Sequence, residues 1–424
     1  MRMTPAFFCA ALLAVGAPAW GQPAQPVPAP GQPVASSLAS AVAYAVEHNP
    51  QIAASRAALR AAQAAVQVAR TGLAPSIGLS ASGSIGSGTP SGSISAGVTY
   101  LIYDGGLRQA QIRQAEAQAQ AAADALAVTL ADIALQTVQA YMNVITGGRL
   151  VTLREQAVTQ ARTQLAAAEA NFRAGRVARA DVVRAESSVA TAEFDLLDAR
   201  GQVENRRAAL RTVMGAEPGA VVEVVAPPDP PGLEVSEAEA RQRALQRPEV
   251  RRAEADVRAG EAGLAAAMIQ GGVTATVDGR YVLVSSSTTT STPGSWSVGI
   301  GVSMPLFDGG RRAAGVEQAR ANLDAARARL ENTRFQMQQE AVLARIQALS
   351  AIAKVEAARR AALAAREAFN VAQGRYAAGV GTIVEVTTAQ TELTAAEVAL
   401  AQAAADRWTT TATLRRALAL AVLP

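Results

Sequence analysis

The side chains that could carry covalent chemistry are almost absent from this sequence. Its one cysteine, Cys9, and its one histidine, His48, each stand alone. A nucleophile needs a base within hydrogen-bond reach, and the base needs a partner to orient it. His48 runs into Asn49-Pro50, the context of a helix start, with no triad member or metal shell nearby. A single cysteine excludes internal disulfides and zinc sites built on several cysteines. The Asp-Gly-Gly runs at 104–106 and 308–310 do not match a phosphate-cradling loop. The expectation is a chain that is not an enzyme, with no catalytic residue, no metal and no cofactor. What the polar residues can do instead is set charge and shape the backbone.

The Asp-Gly-Gly runs define the organisation. Val98-Thr-Tyr-Leu-Ile-Tyr-Asp104-Gly105-Gly106 is an alternating strand that ends in a glycine pivot and opens a long Ala-rich stretch. Val302-Ser-Met-Pro-Leu-Phe-Asp308-Gly309-Gly310 repeats it 204 residues later. Both are strand-to-helix junctions, with Asp104 and Asp308 expected as helix N-caps. Upstream the repeat is shorter: Asn49-Pro50-Gln51 matches Arg247-Pro248-Glu249 at an offset of 198. The difference has to fall between the two strand pairs, in the turn around Ser285–Ser295, since loop tips accept insertions and packed helices do not.

Composition narrows the class. Hydrophobic residues make up 50% of the chain but aromatic ones only 4%, because alanine dominates. Alanine favours helix and close helix packing but fills little core volume. The formal net charge of +4 comes from arginines interleaved with Glu, Asp and Gln along the helical stretches. Such faces are solvated, so no nucleic-acid partner is expected. Residues 1–21 have the form of a secretory signal, with Arg2, an apolar run from Phe7 to Val15 and Ala17-Pro18-Ala19. Residues 22–37 are Pro-rich and expected to be flexible. No apolar helix able to span a bilayer is expected after the signal.

Two structural repeats follow, 38–215 and 236–424, joined by a Pro-rich linker at 216–235. Each should hold a helix, a strand pair (76–103 and 273–307) and a long helical hairpin. Ile77, Leu79, Ala81 and Ile85 alternate with small polar residues, as do Ile94, Ala96, Val98, Tyr100 and Ile102 after a turn near Gly86–Gly92. Val273, Ala275, Val277, Tyr281 and Leu283 repeat the pattern, as do Trp296, Val298, Ile300, Val302, Met304 and Leu306. Runs of about ten residues can cross a bilayer as tilted strands. The helical stretches carry heptads, Val182–Val189–Leu196–Val203–Leu210 and their counterparts Val386–Leu393–Leu400–Arg407–Leu414, in which Arg407 alone is not apolar. Sustained heptads mean coiled-coil packing. Gly106 to Ala174 gives about 100 Å of helix, and the shorter returning helices, Asp181 to Met214 and Ser236 to Ile269, about 50 Å each. Four strands are too few to close a membrane barrel, so chains must pool them: two would give eight and three would give twelve.

These features resemble the TolC-type outer-membrane factors, the outer membrane efflux protein family, over nearly the whole mature chain. The most specific segments are Phe172-Arg-Ala-Gly-Arg-Val-Ala-Arg-Ala-Asp-Val182, its copy Tyr376-Ala-Ala-Gly-Val-Gly-Thr-Ile-Val-Glu-Val386, and Leu306-Phe-Asp-Gly-Gly310. The resemblance implies a mostly α fold with a membrane β-barrel portion and a coiled-coil periplasmic tunnel. It implies a homotrimer in the outer membrane lipid of a Gram-negative bacterium. The periplasmic tip would be opened by a periplasmic adaptor protein and an inner-membrane transporter, for efflux or type I secretion. Glu385 and Thr388 fall at the family's acidic tip constriction, so one carboxylate ring is expected instead of two. Asp181 and Tyr376 match a gate pairing, whereas Ala180 and Gly381 cannot form the family's second, Thr–Arg link. Gly175 and Arg176, with Gly379 and Val380, fall at adaptor-docking turns. Export of protein or polymer instead of small molecules is the alternative, and a pore-free coiled-coil scaffold a remoter one.

Overall fold

The computed structural model describes residues 37–84, 91–232, 234–286 and 294–423. The expected signal segment, the flexible segment up to residue 36, Ile85 and most of both strand-pair turns lie outside the described residues.

Each repeat begins with two helices separated at a proline. α1 (Leu38–His48) is closed at its start by a capping box between Ser37 and Ser40. Asn49 ends α1 and caps α2 (Pro50–Thr71), its side-chain oxygen accepting from the Gln51 amide at 2.8 Å. Its side-chain nitrogen donates to the Val213 carbonyl at 2.7 Å, tying the break to the end of a later helix. In the second repeat, α5 (Glu237–Ala244) and α6 (Pro248–Ile269) take these places. The single helix expected from Ser236 to Ile269 is therefore broken at 245–247. Proline disfavours helical backbone at the residue before it, and Arg247 is extended, with φ −65° and ψ 149°.

β1 (Ser76–Ser84), β2 (Ser91–Tyr103), β3 (Thr274–Ser286) and β4 (Ser295–Ser303) form one antiparallel sheet in that order. β1 and β3 begin 198 residues apart and β2 and β4 begin 204 apart, so the extra residues do enter between β3 and β4. Met304 and Leu306, expected in the last strand, lie beyond it. Pro305 follows directly, and its missing N–H ends the ladder. The equivalent position in β2 is Leu101, beside which the ladder continues to Tyr103 through a bulge.

Each second strand leads into a 67-residue helix, α3 (Leu107–Arg173) or α7 (Arg311–Ala377). Both hairpins return through α4 (Arg179–Met214) or α8 (Ile383–Ala417). The helices lie side by side as α4–α3–α8–α7 towards the hairpin turns and as α2–α3–α6–α7 towards the sheet. One lateral edge of the chain is thus β4 with α7, and the other is β1 with α2 and α4.

Towards the hairpin turns, edge position lowers the burial of the heptads. Val386, Leu393 and Leu414 of α8 are buried between α7 and α3. The counterparts Val182 and Val189 on the outlying α4 are only half-buried, and Leu165 is half-buried where its counterpart Phe369 is buried, whereas Leu210, the counterpart of Leu414 far from the tip, is fully buried. α3 holds one window apolar enough to span a bilayer by composition, with a mean hydropathy of 1.4. The expectation of no such helix is corrected to that extent. The alanine content responsible lets α1, α4, α6 and α8 pack closely against it.

The linker is fastened across the middle of the helices. Tyr141, fully buried on α3, donates to the Val225 carbonyl at 2.8 Å and accepts from the Val225 amide at 2.9 Å. Trp408 Nε1 donates to the Pro228 carbonyl at 3.1 Å. Arg407 donates to Asp229 and to the Pro230 carbonyl, which accounts for the one polar break in the α8 heptad series. Arg345 holds the Val235 carbonyl at 2.7 Å. Removing the Tyr141 hydroxyl leaves the two Val225 backbone groups without their partner, at a cost of about 1–3 kcal/mol. Tyr141→Phe is expected to speed hydrogen exchange at the Val225 amide and proteolysis of the linker while the hairpin tips keep wild-type exchange.

Candidate functional site

Two places concentrate polar side chains and special backbone, the strand-to-helix junctions and the hairpin tips. At the first junction, Gly105 and Gly106 take left-handed φ values of 69° and 94°. That path folds Asp104 back over the helix start, where its carboxylate accepts from the amides of Gly106 and Arg108, both at 2.9 Å. Asp308 does the same for Gly310 at 3.0 Å and Arg312 at 2.9 Å, with Gly309 and Gly310 at φ 63° and 86°. The N-cap position itself is Gly106 or Gly310, so the aspartates cap from two residues outside it. Two glycines are needed because both positions lie where a Cβ is strained. The copies differ in cover. Asp104 is buried and paired with Arg108 at 2.8 Å, whereas Asp308 is exposed on the free β4–α7 edge.

The two hairpin turns are superimposable in bonding. The Gly175 amide donates to Phe172 and the Arg176 amide to Asn171; Gly379 donates to Tyr376 and Val380 to Arg375. Gly175 and Gly379 have φ 67° and 75°, completing a Schellman stop. At Gly381 the amide donates to the Arg375 carbonyl, and an added Cβ would lie 3.0 Å from the Arg375 Cβ. That tight space accounts for glycine here.

Glu385 sits in the first turn of α8. Thr382 caps this helix by accepting from the Glu385 amide at 3.2 Å. The Glu385 carboxylate is not isolated: Arg375 Nε lies 3.6 Å away, across the turn. The sequence reading missed Arg375, which carried no signal beyond its place one residue before Tyr376. Thr388 is exposed on the same helix. Asp181 lies in the first turn of α4 and Tyr376 near the end of α7, on opposite lateral edges of the chain. No hydrogen bond joins them within the chain, and the Tyr376 hydroxyl is buried without a partner among the described residues. The Tyr376 ring packs on the cluster of Phe369, Val386 and Leu393.

A third group was also missed. Arg247, 1% exposed, bonds Glu249 at 2.6 Å and Glu340 of α7 at 2.7 Å. Arg416 of α8 reaches Glu249 at 3.0 Å and also pairs with Asp132 of α3. The network links α3, α6, α7 and α8. The only sequence signal was the Arg-Pro-Glu that replaces Asn-Pro-Gln in the second repeat.

Matches to known proteins agree with this geometry. The family model described as outer membrane efflux protein matches residues 42–216 and 238–420. The chain belongs to that family. It is an outer-membrane protein, with the mostly helical, four-stranded fold of TolC-like channels. It is 29% identical over 236 residues to protein CyaE of Bordetella pertussis, covering 53% of this chain and 49% of CyaE. It is 28% identical over 237 residues to the outer membrane efflux protein BepC of Brucella suis, covering 55% and 51%. The aligned stretch thus spans about half the length of these curated relatives. The Campylobacter jejuni CmeC outer membrane channel shares the fold, with a TM-score of 0.83, 16% identity, and coverage of 90% of this chain and 85% of CmeC.

The charge network makes a pH prediction. Burial pushes the Glu249 carboxyl up, but the Arg247 hydrogen bonds and charge, with Arg416 adding, hold it below the usual carboxylate range. A carboxyl whose folded pKa is depressed stabilises the fold above its unfolded value, about 4.3 for Glu. That stabilisation is lost as pH falls through the folded value. Thermal unfolding is expected to show Glu249→Gln losing about 3 kcal/mol at pH 7, with buried Arg247 left one partner short. The gap to wild type should narrow on acidification below pH ~4.

Proposed function

We propose that three copies of this chain form a duct that carries cargo out across the outer membrane. The observation that carries this reading is the pair of open lateral edges. One face of the sheet is apolar and exposed, with Ile77 79%, Leu79 78%, Trp296 77% and Ile300 75% accessible. The other holds Ser80–Ser95 and Ser82–Ser93 hydroxyl pairs and Thr99 bonded to Asp278. An apolar outside and polar inside suit a barrel in lipid, but β1 and β4 each leave one side unpaired. Copies joined β4 to β1 resolve both edges, and three copies supply twelve strands over twelve helices at every level.

The helical edges support the same joint. Phe335, Ile346 and Leu363 on α7 are 68%, 53% and 64% exposed, and Phe194 and Leu197 on α4 are 71% and 67%. Joining α7 of one copy to α4 of the next also brings the Tyr376 edge to the Asp181 edge, so the gate pairing becomes a contact between subunits. The hairpins form a periplasmic tunnel that narrows near Glu385 and Thr388. An adaptor docks at the turns of Gly175, Arg176, Gly379 and Val380, and an inner-membrane transporter supplies cargo.

Mass measurement of the detergent-extracted protein tests the assembly. Wild type should run as a trimer, and Phe335→Glu and Phe194→Glu should each shift it towards monomer. A wild-type monomer, or a trimer indifferent to both changes, would overturn the reading. Asp181→Ala is expected to raise the resting conductance in planar bilayers, and an unchanged conductance would leave Tyr376 a packing residue only.

A further inference from the structure

Ion pairing along the two hairpins stops short at one tip. α3 and α4 are stitched by Arg162–Glu193 at 2.6 Å, Arg154–Asp195 at 2.8 Å and Arg200–Glu155 at 2.8 Å. α7 and α8 are stitched by Arg366–Glu397 and, right at the turn, by Arg375–Glu385. The tip of the first hairpin is different. Arg173, Arg176, Arg179 and Arg184 are all exposed there. No carboxylate lies within ion-pair distance of any of them among the described residues. Arg173 donates only to the Glu169 carbonyl, at 3.4 Å. Arg184 lines a groove between α3, α4 and α8 beside Thr387 and Thr391. Residues 173–184 carry four guanidiniums against the single carboxylate of Asp181. Counting Glu169 and Glu186, a turn to either side, still leaves the tip positive.

The second tip does not offset this. Its one carboxylate in the turn region, Glu385, already faces Arg375, and Thr388 adds no charge. Three copies around one opening would place the four unpaired arginines threefold at the narrow end of the tunnel. Like charges ringing a constriction concentrate counterions and repel co-ions over roughly a Debye length, about 8 Å at physiological salt. We infer that the periplasmic entrance of this duct is selective for anions, set by Arg173, Arg176, Arg179 and Arg184, and favours anionic cargo. The inference rests on the trimeric duct reading above.

The test is the reversal potential of the full-length protein in planar bilayers across a tenfold KCl gradient. The expected result is a chloride-to-potassium permeability ratio above one. Arg176→Gln/Arg179→Gln should lower it by about twofold or more, with a larger shift at low salt than at 1 M. Glu385→Gln, which frees Arg375, should move it the other way. The double variant leaves the first turn intact, because Arg176 contributes only its backbone amide there and the Arg179 side chain bonds nothing among the described residues. A cation-selective wild type would overturn the inference while leaving the duct in place. So would a ratio unmoved in the double variant, which would assign these arginines to a docked partner on the outer surface. Trimers that conduct nothing would overturn the duct reading itself.

Discussion

Lipid offers no hydrogen bonds. A sheet edge left open in hydrocarbon strands its N–H and C=O groups at several kcal/mol each. This chain folds into a four-stranded sheet with an apolar outer face and both edges open. Most of what lies below the sheet follows from that constraint. In the proposed duct the edges are closed by other copies, so each chain has to present matching surfaces along its whole length. The structure does this with one lateral order maintained from sheet to tip. α7 continues the β4 edge down to the turn, while α2 and then α4 continue the β1 edge.

Holding that order over 67-residue helices is a packing problem. Alanine at the interfaces lets helices approach closely, and heptads of Val and Leu set their register. Such seams can slide, and polar groups that fit only one register oppose it. The Arg247–Glu249–Arg416 network ties four helices at one level, and Tyr141, Trp408, Arg407 and Arg345 fasten the linker at another. Towards the tips α4 is left with half-buried heptad positions. In the proposed duct this looser α4 seam lies at the end that an adaptor would open.

Much of this plan was readable from the residues because it occurs twice. Asp104-Gly-Gly and Asp308-Gly-Gly marked where strand becomes helix, and the rise in offset from 198 to 204 placed the extra residues in the turn of the second strand pair. Strand alternation and heptads followed from side-chain periodicity. The unread features depend on three-dimensional neighbours. Asp104 and Asp308 cap from two residues away only because both glycines are left-handed. The strand was read past Ser303 because Met304 and Leu306 keep the alternation, although Pro305 cannot join the ladder. Arg375 beside Glu385 and the Arg247 network join residues whose proximity no periodicity encodes. The separation of Asp181 from Tyr376 within one chain required the lateral order of the helices.

The central claim is that copies join head to tail, β4 of one to β1 of the next. Cysteine cross-linking reads this directly, since Cys9 is the sequence's only cysteine and falls within the expected signal segment. Cysteines would replace Ser76, Ser80 or Ser82 in β1 together with Ser297 or Ser303 in β4. The account predicts covalent trimers on a denaturing gel for at least one such pair, and none when either cysteine is present alone. Efficient covalent dimers from β1 cysteines alone would show a two-fold β1–β1 joint and contradict it.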